Sequence, residues 1–377
     1  MARLGDIFTI SSGGTPNKNE SSYYTNGTIP WVRTGDLKDK YVSKGIECIT
    51  EEGLNHSTAK LFPKDTVLVA MYGATIGACS ILLYEASTNQ ACAAFLPRKD
   101  VLPEYLYYFL NSKKDQFIKD GVGGAQPNIS AGYLKNVKFE LVSLDEQQKI
   151  IDKLSMVDDL ISLRKQQLSK LDELVKSRFI EMFGDIREVV SVSYYIKALT
   201  AGKSLAGEEE CANKVLKTGA ATYDEFDATQ VKNLPVDYTP VPEHLLKDGD
   251  IIISRMNTAE LVGATAYVWK APQNTYLPDR LWRAELKPNT NAIFVWQMLI
   301  QPSTKEQICR EASGTSGSMK NISKPGLLGL QVKKVPLEMQ NQFATFVEQV
   351  DKSKFEIQKS LEKLETLKKA LMQKYFG

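Results

Sequence analysis

Two stretches of the chain carry residues of one stripe at alternating intervals of three and four. Leu154, Val157, Ile161, Arg164, Leu168, Leu171, Val175, Arg178 and Met182 form the first stripe, and Val347, Val350, Lys354, Ile357, Leu361, Leu364, Lys368, Leu371 and Tyr375 the second. A stripe this narrow suits the seam of a coiled coil. Arg164 and Arg178 occupy positions that are Ile357 and Leu371 in the other stripe. Lys354 and Lys368 likewise answer Ile161 and Val175. Each helix is therefore polar in its seam where its counterpart is apolar, which predicts pairing within one chain. The alternative is two amphipathic helices that each cover their own domain.

The stripes lie in a longer repeat. Leu144 through Gly184 aligns without gaps on Leu337 through Gly377 at an offset of 193, matching Gln147 with Gln340, Asp158 with Asp351, and a closing Phe-Gly in both copies. The same offset joins Asn128-Ile129-Ser130 to Asn321-Ile322-Ser323. Further upstream the offset becomes 184, where Arg33-Thr34-Gly35 answers Lys217-Thr218-Gly219 and Val67-Leu68-Val69 answers Ile251-Ile252-Ile253. A duplicated unit follows, with globular parts at 1–143 and 185–336 and helices at 144–184 and 337–377.

Within the globular parts, short apolar runs broken by Gly, Pro and Asn predict strands at Ile29 to Arg33, Thr66 to Met71, Ser80 to Tyr84, Ile251 to Ser254 and Thr265 to Trp269. Helical spacing predicts short helices at Pro103 to Asn111 and Ala292 to Gln301. The class is α+β.

Length and charge narrow this picture. The 377 residues suffice for two or three domains. The 47 basic and 45 acidic residues leave +2, too balanced for a packaging protein or a polybasic membrane anchor. No apolar run approaches a membrane span, and the opening Met-Ala-Arg-Leu-Gly-Asp lacks the features of a secretory signal, which points to the cytoplasm. Cys48, Cys79, Cys92, Cys211 and Cys309 are widely spaced, with no Cys-x-x-Cys, and read as buried reduced thiols. With His56 and His244 as the two histidines, His-rich metal sites and Ser-His-Asp constellations have little material.

The linked motifs resemble the specificity subunit of type I restriction-modification systems over essentially the whole chain. They are Ser12-Gly13-Gly14-Thr15-Pro16, Ile29-Pro30-Trp31-Val32-Arg33-Thr34-Gly35-Asp36-Leu37, Met71-Tyr72-Gly73-Ala74-Thr75-Ile76-Gly77, Asn128-Ile129-Ser130 and the helix entry Leu144-Asp145-Glu146-Gln147-Gln148. The second half keeps the order but lacks Gly-Gly-Thr-Pro and has Val215 to Gly219 in place of the Trp-containing run. The resemblance implies two target-recognition-like α/β domains, pseudo-twofold duplicated and separated by two long helices in an antiparallel intrachain coiled coil. It implies double-stranded DNA as ligand, read as a bipartite asymmetric target. It also implies two modification (methyltransferase) subunits as partners, restriction subunits as a further candidate partner, and no membrane. Helix positions Leu154, Val157, Ile161, Leu168, Leu171, Val175, Val347, Val350, Ile357, Leu361, Leu364 and Leu371 then form the coiled-coil and partner interface.

Catalytic chemistry is missing from the sequence. Gly121 to Gln126 is glycine-rich but has neither Gly-x-Gly-x-x-Gly spacing nor a Walker lysine, and no Asn-Pro-Pro-aromatic run is present. Glu208-Glu209-Glu210 reads as a solvated face rather than a nuclease centre. The chain is read as non-catalytic, without a cofactor or metal of its own; the resemblance implies that S-adenosylmethionine, ATP and Mg act in partner subunits. Candidate DNA contacts are Lys18, Arg33, Lys38, Gln126 and Asn128 in the first domain. In the second they are Lys217, Arg255, Asn257, Lys320 and Asn321. For Asn128 and Asn321, helix or turn capping is an equal alternative. Each globular part carries one basic residue in excess, 15 against 14 and 18 against 17, so a DNA face requires segregation of charge or help from partners. A solitary methyltransferase or nuclease, and a coiled-coil scaffold with two protein-binding domains, are the competing functions.

Overall fold

The computed structural model describes residues 1–43, 46–122, 128–314 and 319–377. The chain forms two compact units. Met1–Lys165 and Lys359–Gly377 make the first, and Gln166–Gln358 the second.

In the first unit the strand Val67–Ala70 is buried along its whole length. Val67 and Val69 face a core that includes the helix Pro103–Ser112, whereas Leu68 and Ala70 face a second core with Val32, Phe62 and Leu82. Burial on both faces explains an unbroken apolar run where a half-buried strand would alternate. The strand lies in a four-stranded antiparallel sheet, ordered Ile10–Ser12, Cys92–Phe95, Val67–Ala70, Cys79–Ile81. A smaller sheet pairs Ile29–Val32 with Ala86–Thr88 in parallel.

The second unit repeats this plan. Its sheet runs Ile196–Ala201, Leu281–Leu286, Ile251–Ser254, Thr265–Tyr267, again antiparallel. Its smaller sheet pairs Lys214–Leu216 with Thr275–Tyr276, again in parallel. Ile251 and Ile253 face one core and Ile252 another. Even the missing Gly-Gly-Thr-Pro has a counterpart. A Cβ on Gly13 would stand 1.9 Å from the Thr88 carbonyl oxygen, and one on Gly202 would stand 1.8 Å from that of Leu277. Both first strands therefore leave their sheet at a point where only glycine fits.

Several elements are shorter than their apolar patterns. The run to Tyr84 yields Cys79–Ile81, and beyond it Leu83 turns outward, 48% exposed. The run to Trp269 ends at Tyr267, and the helix Ala292–Leu299 stops before a second one, Pro302–Glu311. The thiols also differ from expectation. Cys79 and Cys92 are buried, but Cys48 and Cys211 are half-buried and Cys309 is exposed.

The long helices span Leu144–Phe183 and Leu337–Phe376, 40 residues each. They pack antiparallel. In the first unit Lys368 meets Asp158 at 2.6 Å and Lys165 meets Glu365 at 3.9 Å. In the second, Lys354 meets Asp172 at 2.7 Å. Burial alone would push the Lys354 ammonium down, yet Asp172 and Glu225 hold it above the usual lysine value. The seam lysines are thus neutralised by carboxylates rather than lodged among apolar groups.

Matched phenylalanines anchor the helix ends. Phe183 packs edge-on to Phe294 and Phe343, and Phe376 against Tyr105 and Phe109. Each globular core is therefore closed by the C-terminal end of a long helix.

The matched glutamines have an equally specific task. Gln147 is fully buried, accepts from the Leu102 amide at 2.8 Å, and donates to the carbonyls of Asp100 and Val142 at 2.9 Å. Gln340 accepts from the Asn291 amide at 3.0 Å and donates to Val335 at 2.8 Å. Each glutamine ties its helix entry to the start of a domain helix. Gln147→Leu should cost about 1–3 kcal/mol, because it leaves buried backbone groups without partners. Chemical denaturation of the purified chain measures it, and an unchanged midpoint would remove the tie from the stability of the fold.

Candidate nucleic-acid interface

The strands Val67–Ala70 and Ile251–Ser254 end in equivalent positions. Beyond the first, the Ile129 amide donates to the Met71 carbonyl at 2.9 Å, and beyond the second the Ile322 amide donates to that of Arg255 at 3.0 Å. Asn128 pairs with Tyr72 and Asn321 with Met256. The turn that follows is also shared, since the Gly77 amide bonds to Ala70 and the Gly263 amide to Ser254.

In the second unit this frame brings four of the candidate residues together. Met256 lies opposite Asn321 and Asn257 opposite Lys320 in one short ladder, with Arg255 adjoining it. Arg255, Asn257, Lys320 and Asn321 are all half-buried. Asn257 accepts from the Thr258 amide at 2.9 Å, and the Lys320 ammonium reaches the Gly314 carbonyl at 3.2 Å. Arg255 Nε and Asn321 Oδ1 are buried and have no hydrogen-bond partner.

The first unit gathers fewer candidates. Asn128 is exposed at the strand end opposite Tyr72, itself 43% exposed. Gln126 lies outside the described residues. Lys18 and Lys38 are exposed, and Arg33 is engaged by Glu47 at 3.0 Å and Asp36 at 3.8 Å. Arg33 and Lys217 precede equivalent one-turn helices, Thr34–Asp36 and Thr218–Ala221, on the smaller sheets. Lys217 is exposed and makes no ion pair among the described residues.

Capping falls to other residues than Asn128 and Asn321. Ser130 accepts from the Tyr133 amide and Ser323 from the Gly326 amide, each at 3.0 Å, so the Asn side chains are not the caps of the short helices that follow. Arg280 is a further residue, and the sequence reading missed it. Its carbonyl accepts from the Arg255 amide at 3.1 Å, which continues the register of Ser254 with Leu281 and sets the two arginines opposite each other. The one available signal was a pairing across 25 positions, which no local pattern encodes.

Along the long helices Leu154, Val157, Val175, Val347, Val350 and Leu361 are buried, and Ile161, Leu168, Leu171, Ile357, Leu364 and Leu371 are half-buried. Met156, Leu160 and Leu163 are exposed by 65%, 39% and 49%. They recur at helical spacing away from the seam, while their repeat counterparts are Gln349, Ser353 and Glu356. Among the described residues no cluster of three or more metal-ligating side chains occurs, and no helix is long and apolar enough to cross a membrane.

The frame is built twice, with matched strand ends and different side chains mounted on them. In keeping with the resemblance of the motifs to specificity subunits, residues 1–173 match the type I restriction modification DNA specificity domain. The MjaIX specificity subunit of Methanocaldococcus jannaschii is 34% identical over 190 residues, 49% of this chain and 44% of that protein. The EcoR124I/EcoR124II subunit of Escherichia coli is 27% identical over 48% of this chain and 46% of its own length. The chain thus spans less than half the length of these two relatives in the matched regions. The MjaVIII subunit of M. jannaschii is 24% identical over 99% of this chain and 90% of its own length. Among solved structures, the specificity subunit from M. genitalium superposes with a TM-score of 0.56 at 16% identity, covering 100% of this chain and 95% of that one. A chain from a type I restriction-modification system studied for complex assembly gives 0.60 at 16%, covering 100% and 96%.

Proposed function

We propose that the chain is the non-catalytic, sequence-reading subunit of a type I restriction-modification complex. Each globular domain, 1–143 and 185–336, reads one part of a bipartite asymmetric double-stranded DNA target. The helices 144–184 and 337–377 serve as spacer. The observation that carries this reading is the matched strand end: one backbone frame displays Met71, Tyr72 and Asn128 in one copy and Arg255, Met256 and Asn321 in the other. Two readers of one design with different side chains suit a target whose halves differ.

Modification subunits, two in number, dock on the helices, and restriction subunits are further partners. The exposed Met156, Leu160 and Leu163 favour a partner surface, since apolar side chains grouped on one helix face mark contact sites. S-adenosylmethionine, ATP and Mg act in the partner subunits, in the cytoplasm. The test is to express the chain with its modification subunits in a host free of DNA methylation and sequence the modified bases. A bipartite motif that disappears when the chain is omitted is expected. Methylation that persists without the chain, or none in its presence, overturns the proposal.

Lys217 gives a narrower expectation. As an exposed, unpaired cation, it should contact phosphate rather than a base. Lys217→Ala should weaken binding of the assembled complex to cognate and scrambled duplexes alike and lower the slope of log affinity against log salt by about 1. Titrations at several salt concentrations check this, and a loss confined to the cognate site would make Lys217 a base reader instead.

A further inference from the structure

The duplication allows a comparison at one half-buried acid. In the first unit Asp158 accepts from the Tyr108 hydroxyl at 2.9 Å and meets the Lys368 ammonium at 2.6 Å. The repeat puts Asp351 in place of Asp158 and Val175 in place of Lys368. Gln297 answers Tyr108, since the helices Pro103–Ser112 and Ala292–Leu299 start from Leu102 and Asn291, the residues whose amides the matched glutamines hold. The second unit thus has an amide and an isopropyl group where the first has a hydroxyl and an ammonium. Asp351, Val175 and Gln297 all line one cavity of about 290 Å³ within the second unit. That volume is near the lower end of small-molecule sites.

Asp351 and Gln297 both lack a side-chain partner there. The other carboxylates of the cavity are paired, Asp224 with Lys305 at 2.6 Å, and Asp172 and Glu225 with Lys354 at 2.7 and 3.4 Å. Asp351 makes no hydrogen bond or ion pair among the described residues, and burial holds its carboxyl above the usual aspartate value despite the nearby Lys354. Gln297 is 5% exposed, and its side-chain amide has no hydrogen bond among the described residues. Val175, Trp296, Ile300, Val347 and Val350 supply an apolar wall. An occupant that completes this cavity donates to a carboxylate and to an amide oxygen and lays a carbon stem along that wall. A bare metal ion meets neither condition, and no cluster of three or more metal-ligating side chains occurs among the described residues. A protonated alkyl amine meets both, with three N–H donors on an apolar stem. We propose that the cavity binds the ammonium end of an alkyl amine, which does for Asp351 what Lys368 does for Asp158. Two sources carry that head group, a free amine and a lysine side chain of a partner subunit, and the second rests on the function proposed above.

The probe is n-butylammonium, which is the lysine side chain without its backbone, and the control is tetramethylammonium at equal ionic strength, which has the charge but no N–H donor. Calorimetric titration of the full chain should show saturable binding of n-butylammonium with a dissociation constant of roughly 1–10 mM, and none of tetramethylammonium. Asp351→Asn should weaken that binding at least about tenfold, because it removes the charge that the ammonium answers. Val175→Lys should abolish it by placing an ammonium where the first unit carries Lys368. Thermal unfolding of both variants without amine confirms that they are folded, and Asp351→Asn decides alone if Val175→Lys is not. Absence of saturable binding to the wild type overturns the inference, and so does equal binding by the wild type and Asp351→Asn. The same titration on the chain assembled with its modification subunits distinguishes the sources: unchanged affinity assigns the cavity to a free amine, and lost affinity to a lysine side chain of a subunit. Failure to assemble with those subunits would count against the function proposed above and leave the first titration standing.

Discussion

Residues 185–377, produced with the modification subunits, should assemble as a twofold dimer and direct methylation to a palindrome built from the second half-site. Residues 1–184 should do so much less well. The difference lies in the ion pairs between the long helices. Asp158 with Lys368 and Asp172 with Lys354 are the short pairs, 2.6 and 2.7 Å, and both draw their lysine from the second helix. By the repeat, Asp158 corresponds to Asp351, Asp172 to Glu365, Lys354 to Ile161 and Lys368 to Val175. A dimer of the second half would thus face Asp351 with Lys368 and Glu365 with Lys354, twice each. A dimer of the first half would face Asp158 with Val175 and Asp172 with Ile161. There Asp172 would keep the longer kind of contact that Lys165 makes with Glu365, at 3.9 Å, and Arg164 and Arg178 would enter the seam twice.

Partly shielded pairs of this kind contribute about 1 kcal/mol each, and a half-buried carboxylate stripped of its lysine costs more. Summed over a symmetric dimer, the second half should associate at least about tenfold more tightly. Sedimentation of the two modules measures the ranking, and sequencing of modified bases reads the palindrome. A tighter dimer of residues 1–184 would show that seam packing, not charge, selects the partner. The same pattern explains why the intact chain pairs its own helices: each acidic position that lacks a lysine in its own copy finds one in the other.

What the sequence disclosed and what it concealed follow from the range of the interactions. A heptad seam and a 193-residue offset are visible in one dimension, so the long helices and the duplication could be read directly from Leu154 to Met182 and from Val347 to Tyr375. The buried glutamines showed as matched letters, but their ties to backbone groups, three for Gln147 and two for Gln340, depend on packing. Arg280 was hidden because its significance comes from standing opposite Arg255, a relation set by sheet register. Asn128 and Asn321 were ambiguous between cap and reader, because Asn-Ile-Ser holds two capping residue types and only geometry assigns the bond to Ser130 and Ser323. Cys309 resembled its buried counterparts in composition, yet it lies on the exposed side of the helix Pro302–Glu311.

Removing one heptad from each long helix should shorten the gap between the half-sites without changing either half-site. The deletions have to keep both short ion pairs. Asp158 and Asp172 are two heptads apart on one helix, and so are Lys354 and Lys368 on the other. Deleting residues 162–168 and 358–364 leaves each pair one heptad apart and still opposed, with the seam in phase. Seven residues at about 1.5 Å each amount to roughly 10 Å, or about three base pairs at 3.4 Å per step. Three base pairs also turn the second half-site by roughly a third of a helical turn about the DNA axis. The shortened complex therefore has to twist or bend its target, at a cost of order 1–6 kcal/mol that depends on the bases in the gap. Methylation should move to sites with the shorter gap and proceed more slowly there, fastest where the gap is rich in flexible pyrimidine–purine steps. Sequencing of modified bases from cells carrying the deletion variant resolves both effects. Modification of the original gap at the original rate would mean that partner subunits, rather than the helices, set the distance.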